Sequence, residues 1–144
     1  MINQTGTGRG IRDNTGALTL AVTNNGLLQA ADADPIQMNK SNSNISFDNH
    51  GRVISLNVSA GGSQAIDWNA ITTGSNTLHN YAAGLLEAFE ADAVRPGVNG
   101  SVINEGTIKA ITSTASSSDG VDGQSNPGSD EQATAILFVL RKCV

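Results

Sequence analysis

Apolar positions in this chain fall into a short unit that recurs: apolar-x-Asn-x-Gly-x-apolar-x-small. Val102, Asn104, Gly106, Ile108 and Ala110 form one copy. Val22, Asn24, Gly26, Leu28 and Ala30 form a second, and Phe47, Asn49, Gly51, Val53 and Ser55 a third. Leu78, Asn80, Gly84, Leu86 and Ala88 form a fourth, with two extra residues before the glycine. The four glycines are separated by 25, 33 and 22 residues, the repeat length of a solenoid coil. A weaker repeat lies between these copies, a single aliphatic in a polar setting: Ile11, Ile36, Ile66, Val94 and Val121. It follows the preceding glycine by either 10 or 15 residues. A helix would lose its apolar face under such variation, because each added residue turns it by about 100°. Strands joined by surface loops tolerate it.

The pattern therefore predicts an all-β parallel β-helix of about four to five coils. The whole chain, 1–144, reads as one domain of ordinary size. Residues 1–10 read as a flexible leader, 10–130 as coils, and 131–144 as a last strand or terminal cap. Residues 17–22 alternate in period two and predict a strand, and Val53 to Val58 reads as the strongest strand of all. Stretches 39–44, 59–64, 72–76 and 112–130 read as loops. Residues 85–94 are rich in Leu, Ala and Glu, a helical composition. The repeat instead aligns Leu86 with Leu28, Val53 and Ile108, and Val94 with Ile36 and Ile66. The expectation follows the repeat: Leu86 in a strand, Leu86 and Val94 buried, Glu87 and Glu90 facing solvent. Off the pattern lies the tail from Glu131, with its apolar run Ala135 to Leu140.

In such a stack, equivalent residues sit one above another about 4.8 Å apart. Asn24, Asn49, Asn80 and Asn104 would then form an asparagine ladder at a corner, each amide bonding its neighbour and the backbone of the bend. The glycines that follow, Gly26, Gly51, Gly84 and Gly106, are expected to supply a backbone conformation that a Cβ resists.

Composition narrows the functional classes. A net charge of −5 lacks the basic footprint that nucleic-acid binding needs. Aromatics at 3% leave few stacking platforms. The chain has no apolar run long enough for a membrane-spanning helix and no signal-peptide pattern, and its single cysteine, Cys143, cannot form an internal disulfide. No HExxH, GxSxG or P-loop motif occurs, and Gly6 to Gly10 lacks the strand and lysine of a phosphate loop. His50 and His79 sit beside turn asparagines and read as surface histidines. One column offers chemistry: Asp34, Gln64, Asp92 and Asp119, two residues before the second-repeat aliphatic. Asp92 and Asp119 are weak calcium candidates, because hard cations take oxygen ligands, although aspartate is also simply a good turn residue. No cofactor is expected.

The Asn-x-Gly turns and the stretch from Ala91 to Asn104 resemble the passenger repeats of bacterial type V autotransporters, over roughly residues 10–125. The resemblance implies a right-handed, single-stranded β-helix displayed on a Gram-negative cell surface, outside the cell. It implies a non-enzymatic stalk or adhesin whose partners are host or neighbouring-cell glycans or proteins and the remainder of a larger passenger. The chain shows neither the family's signal peptide nor its translocator barrel, and reads as a fragment or a truncated frame. A carbohydrate-active β-helix, lyase-like or glycoside-hydrolase-like, is the alternative. Its contacts would be Asp67, Trp68 as a sugar platform, and Arg95 as a uronate partner.

Overall fold

The computed structural model describes residues 1–59, 62–98 and 100–111. Among them every regular element is a strand, and none is a helix. In chain order these are β1 (Ile2–Gln4), β2 (Ile11–Arg12), β3 (Thr19–Asn24), β4 (Leu27–Ala30), β5 (Ile36–Gln37), β6 (Asn44–Asn49) and β7 (Arg52–Ser55). They continue with β8 (Ile66–Asp67), β9 (Asn76–Asn80), β10 (Leu85–Ala88), β11 (Val94–Arg95), β12 (Ser101–Asn104) and β13 (Thr107–Ala110). Three parallel sheets result, ordered β1-β4-β7-β10-β13, β2-β5-β8-β11 and β3-β6-β9-β12. The chain visits the three sheets in strict rotation, the path of a solenoid, and no sheet closes into a barrel.

Register follows the repeat. Leu28, Val53, Leu86 and Ile108 are successive partners in the first sheet. Ile11, Ile36, Ile66 and Val94 align in the second. Val22, Phe47, Leu78 and Val102 align in the third. The three columns meet inside and form one core, with Ile11, Leu20 and Val22 only partly buried at its first turn. Burying each large aliphatic contributes about 1.5–3 kcal/mol.

The segment with helical composition is a strand. Leu85–Ala88 pairs on both sides, and Leu86 and Val94 are fully buried. Glu87 and Glu90 are half-buried, not freely exposed. Local preference costs only tenths of a kcal/mol per residue, whereas two ladders of backbone bonds and a buried leucine favour the strand. Three expectations need correction. Residues 1–10 are not a plain leader: Ile2–Gln4 pairs with Leu28–Ala30, and Gly10 and Ile11 both donate to the Pro35 carbonyl. The strand begun at Arg52 stops at Ser55, because Asn57 Oδ1 accepts the Ser59 amide at 2.9 Å and bends the chain. Val58 is left 70% exposed.

The third correction concerns the turn glycines. The one described glycine with positive φ is Gly97, at 77°. Gly51, Gly84 and Gly106 are small for another reason, the backbone packed against them. A Cβ on Gly51 would lie 2.2 Å from the Gly26 carbonyl oxygen, and one on Gly106 would lie 2.4 Å from that of Gly84. On Gly84 it would lie 2.6 Å from the Asn49 carbonyl oxygen.

Beside these glycines runs the asparagine column. Asn24 Nδ2 donates to Asn49 Oδ1 at 2.8 Å, Asn49 Nδ2 to Asn80 Oδ1 at 2.7 Å, and Asn80 Nδ2 to Asn104 Oδ1 at 2.8 Å. The same side chains satisfy the bend: Gly26, Gly51 and Gly106 amides donate to the asparagine two residues earlier. Asn49 and Asn80 bond on both sides, whereas Asn104 accepts from one neighbour. Asn49→Ala is expected to cost about 2–4 kcal/mol, since it strands buried partners above and below, and Asn104→Ala about half as much. Urea unfolding of both variants checks this; equal losses would mean the column carries no cooperative bonding.

Candidate functional site

The polar chemistry of the fold gathers along the sheet β2-β5-β8-β11 and the bend that leads into it. These strands are two residues long, so one side chain points in and the next out. Arg12, Gln37, Asp67 and Arg95 are successive outward partners. Just before the strands, Asp34, Gln64 and Asp92 are all buried.

Asp34 is the centre of this group. Its Oδ1 accepts the Gln64 backbone amide at 2.8 Å, and its Oδ2 accepts Gln37 Nε2 at 2.9 Å. Gln37 Nε2 also reaches Asp67 Oδ2 at 3.2 Å, so one amide bridges two carboxylates. Arg9 Nε stands 3.6 Å from Asp34 Oδ2. Burial, and then the charge of Asp67, push the Asp34 carboxyl up to about 6, against the opposing pull of the Gln64 amide and Arg9.

The proposed sugar-contact trio does not assemble. Asp67 and Arg95 are register neighbours on the outer face. Trp68 follows Ile66 in period two and points inward, at 0% exposure, so it offers no platform. The alternation of Ile66 and Trp68 was the signal for this. Arg95 Nε is committed to Asp92 Oδ2 at 3.2 Å. That ion pair neutralises Asp92 with a guanidinium, which disfavours a cation there. Asp119, its calcium partner in the sequence reading, lies outside the described residues. So do Val121, Cys143, the loop 112–130 and the tail 131–144. Among the described residues no group of three or more His, Cys, Asp or Glu could hold a metal ion. No helix among them is long and apolar enough to cross a membrane.

Two features were missed in the sequence. Asp13 is fully buried and accepts from the Asn39 amide, from the Lys40 amide at 2.9 Å and from Ser43 Oγ at 2.6 Å. Ser43 Oγ in turn accepts the Leu18 amide at 3.1 Å. The loop 39–44 is thereby folded by one carboxylate from the turn below. That loop also supports the next, since the Ser41 carbonyl accepts the amides of Thr72, Thr73 and Gly74. No local motif marks Asp13, because its partners are 26 to 30 residues away.

The second missed feature is a ring column on the outside. The aligned asparagines Asn49 and Asn80 are each followed by a ring, and His50 stacks on Tyr81 with centroids 4.0 Å apart. His79 stacks on Tyr81 as well, at 3.7 Å, and its Nε2 lies 3.1 Å from Glu105 Oε1. His50 is exposed, and His79 and Tyr81 are half-buried. Stacked rings fixed by the register form a partly exposed amphipathic ridge.

Neither a protein-family model, nor a curated protein, nor a solved structure matches this chain.

Two outcomes test the buried carboxylates. A carboxyl whose pKa is higher in the fold than in the unfolded chain holds its proton more tightly when folded. Its contribution to stability is therefore fullest below the ordinary value of 3.8 and is lost as pH rises through about 6. The parent chain is therefore expected to lose stability between pH 4 and 6, and Asp34→Asn to flatten that fall by roughly 2–3 kcal/mol. Denaturant midpoints of the two proteins across that range decide it. Asp13→Ala strands two amides and a hydroxyl, and is expected to cost about 2–4 kcal/mol. Faster hydrogen exchange at Asn39, Lys40 and Leu18 would accompany it; unchanged protection there would count against Asp13 as the organiser of that loop.

Proposed function

We propose that this chain is a length of right-handed β-helical rod, about four to five coils long, serving as a non-enzymatic stalk and adhesion module of a bacterial surface passenger. The continuous asparagine ladder is the observation that carries this reading. It pins each turn to the next through side chains, and so supports a stiff, extendable scaffold in place of a cleft. The resemblance to autotransporter passenger repeats gives the setting, outside the cell. The carbohydrate-active alternative loses its support, because Trp68 is in the core and Arg95 is paired with Asp92.

Within the rod, the contact surface favoured is the His50–Tyr81–His79 ridge with Glu105 beside it. Preordered rings give contact area at little conformational cost, and their polar edges suit glycan hydroxyls or a polar protein surface. The test is binding of beads coated with the full chain to a glycan array and to bacterial and epithelial cells. Capture that falls at least about tenfold in Tyr81→Ala, with an unchanged melting temperature, is the expected result. Release of unsaturated uronate products from a polysaccharide, with no capture, would overturn the reading.

A further inference from the structure

We propose that the corner between β8 and β9 holds one internal water molecule, bound by the Trp68 indole and the Asn76 side-chain amide. The first ground is what these two groups lack. Trp68 is fully buried and Asn76 is 2% exposed. Trp68 Nε1 and both polar atoms of the Asn76 amide have no hydrogen-bond partner among the described residues. Buried polar side chains in folded proteins nearly always have a partner, either protein or ordered water. Three orphaned atoms in one corner of one turn require a ligand that both accepts and donates. Both residues are closed to solvent, so that ligand is small.

Placement within the stack is the second ground. Asn76 opens β9 on its inward side, and its register partner in the turn below is Ile45. Trp68 follows β8 by one residue, as Met38 follows β5 in the turn below. That lower turn therefore fills the corner with Met38 and Ile45, both part of the hydrophobic core. The turn above supplies only Pro96, one residue beyond β11, and Gly100, one residue before β12. These neighbours are apolar or small. No side chain of theirs can bond the indole or the amide.

Backbone acceptors around the amide are the third ground. A Cβ on Gly97 would lie 3.0 Å from Asn76 Nδ2, 2.4 Å from the Trp68 carbonyl oxygen and 2.9 Å from that of Ile71. On Gly100 it would lie 2.7 Å from Asn76 Nδ2 and 2.3 Å from the Pro96 carbonyl oxygen. Three carbonyl oxygens thus converge on the two glycines that the amide approaches, and none of them is bonded to it. One water satisfies such a set. It accepts the indole N–H, donates one hydrogen to Asn76 Oδ1 and keeps the other for a carbonyl of the bend. An asparagine here, in a column of aliphatics, is then a water ligand that ties two sheets together at their corner.

Nuclear magnetic resonance of the full chain is the test, because its single tryptophan gives one resolved indole proton signal. The expected result is a cross-peak between that proton and water, with the sign of a contact that outlasts molecular tumbling. Asn76→Leu keeps the branching of the side chain and removes its polar atoms. It is expected to abolish the cross-peak and move the Trp68 fluorescence to shorter wavelength. Asn76→Ser retains a hydrogen-bonding group and is expected to retain the cross-peak. A parent chain with no such cross-peak would overturn the proposal. So would an Asn76→Ser chain that lacks it, or an Asn76→Leu chain, folded by circular dichroism, whose Trp68 signals match those of the parent.

Discussion

Everything in this fold depends on register between successive turns of the chain. Parallel strands pair evenly along their length, so nothing in the backbone itself chooses one alignment over a shift by two residues. The choice is made by side chains that fit only their own kind one turn away. Asn49 satisfies Asn24 below and Asn80 above while holding its own bend. Gly51 lets the Gly26 backbone approach to a distance no other residue permits. A slip would break the amide column, leave buried polar groups unpaired and press a side chain into a carbonyl. Each of these costs on the order of kilocalories, and they recur at every turn.

Fixed register explains how such a thin molecule manages without large aromatic packing. Each turn contributes only a few inward aliphatics, and they become a core because the turns above and below enclose them. Val22 is half-buried while Phe47 and Leu78, in the same column, are fully enclosed. Stability in such a stack is shared between neighbours, so the end turns are its weakest part. Polar groups drawn inside are handled unevenly. The carboxylate of Asp13 has three donors, whereas both polar atoms of Asn76 and the Trp68 indole nitrogen are buried without a partner among the described residues.

The same register sets what the outside can present. Residues after each aligned asparagine come to lie over one another, so His50 and Tyr81 stack although 31 residues separate the asparagines before them. Arg12, Gln37, Asp67 and Arg95 form a second outward row by the same rule. A rod built this way displays surface chemistry in files along its axis, and any partner would read a file, not a pocket.

The repeating apolar-x-Asn-x-Gly-x-apolar unit determined by itself that the chain is an all-β parallel stack, and which residues face inward. The core columns through Leu28, Ile36 and Phe47 were legible because each inward position recurs with the same neighbours, and the repeat outweighed helical composition around Leu86. Tertiary structure alone decided matters that depend on distance across turns. The glycines are required by the approach of carbonyls 22 to 35 residues away, not by their own φ, and a sequence does not display that approach. Asp13 is pinned by Asn39, Lys40 and Ser43, partners that no local pattern connects to it. Trp68 was legible in principle from its alternation with Ile66, but that it joins Met38 and Ile71 in one buried core is settled only by the stacked turns. Local periodicity records which way a side chain points, whereas contact between loops of unequal length is settled only when the turns are stacked.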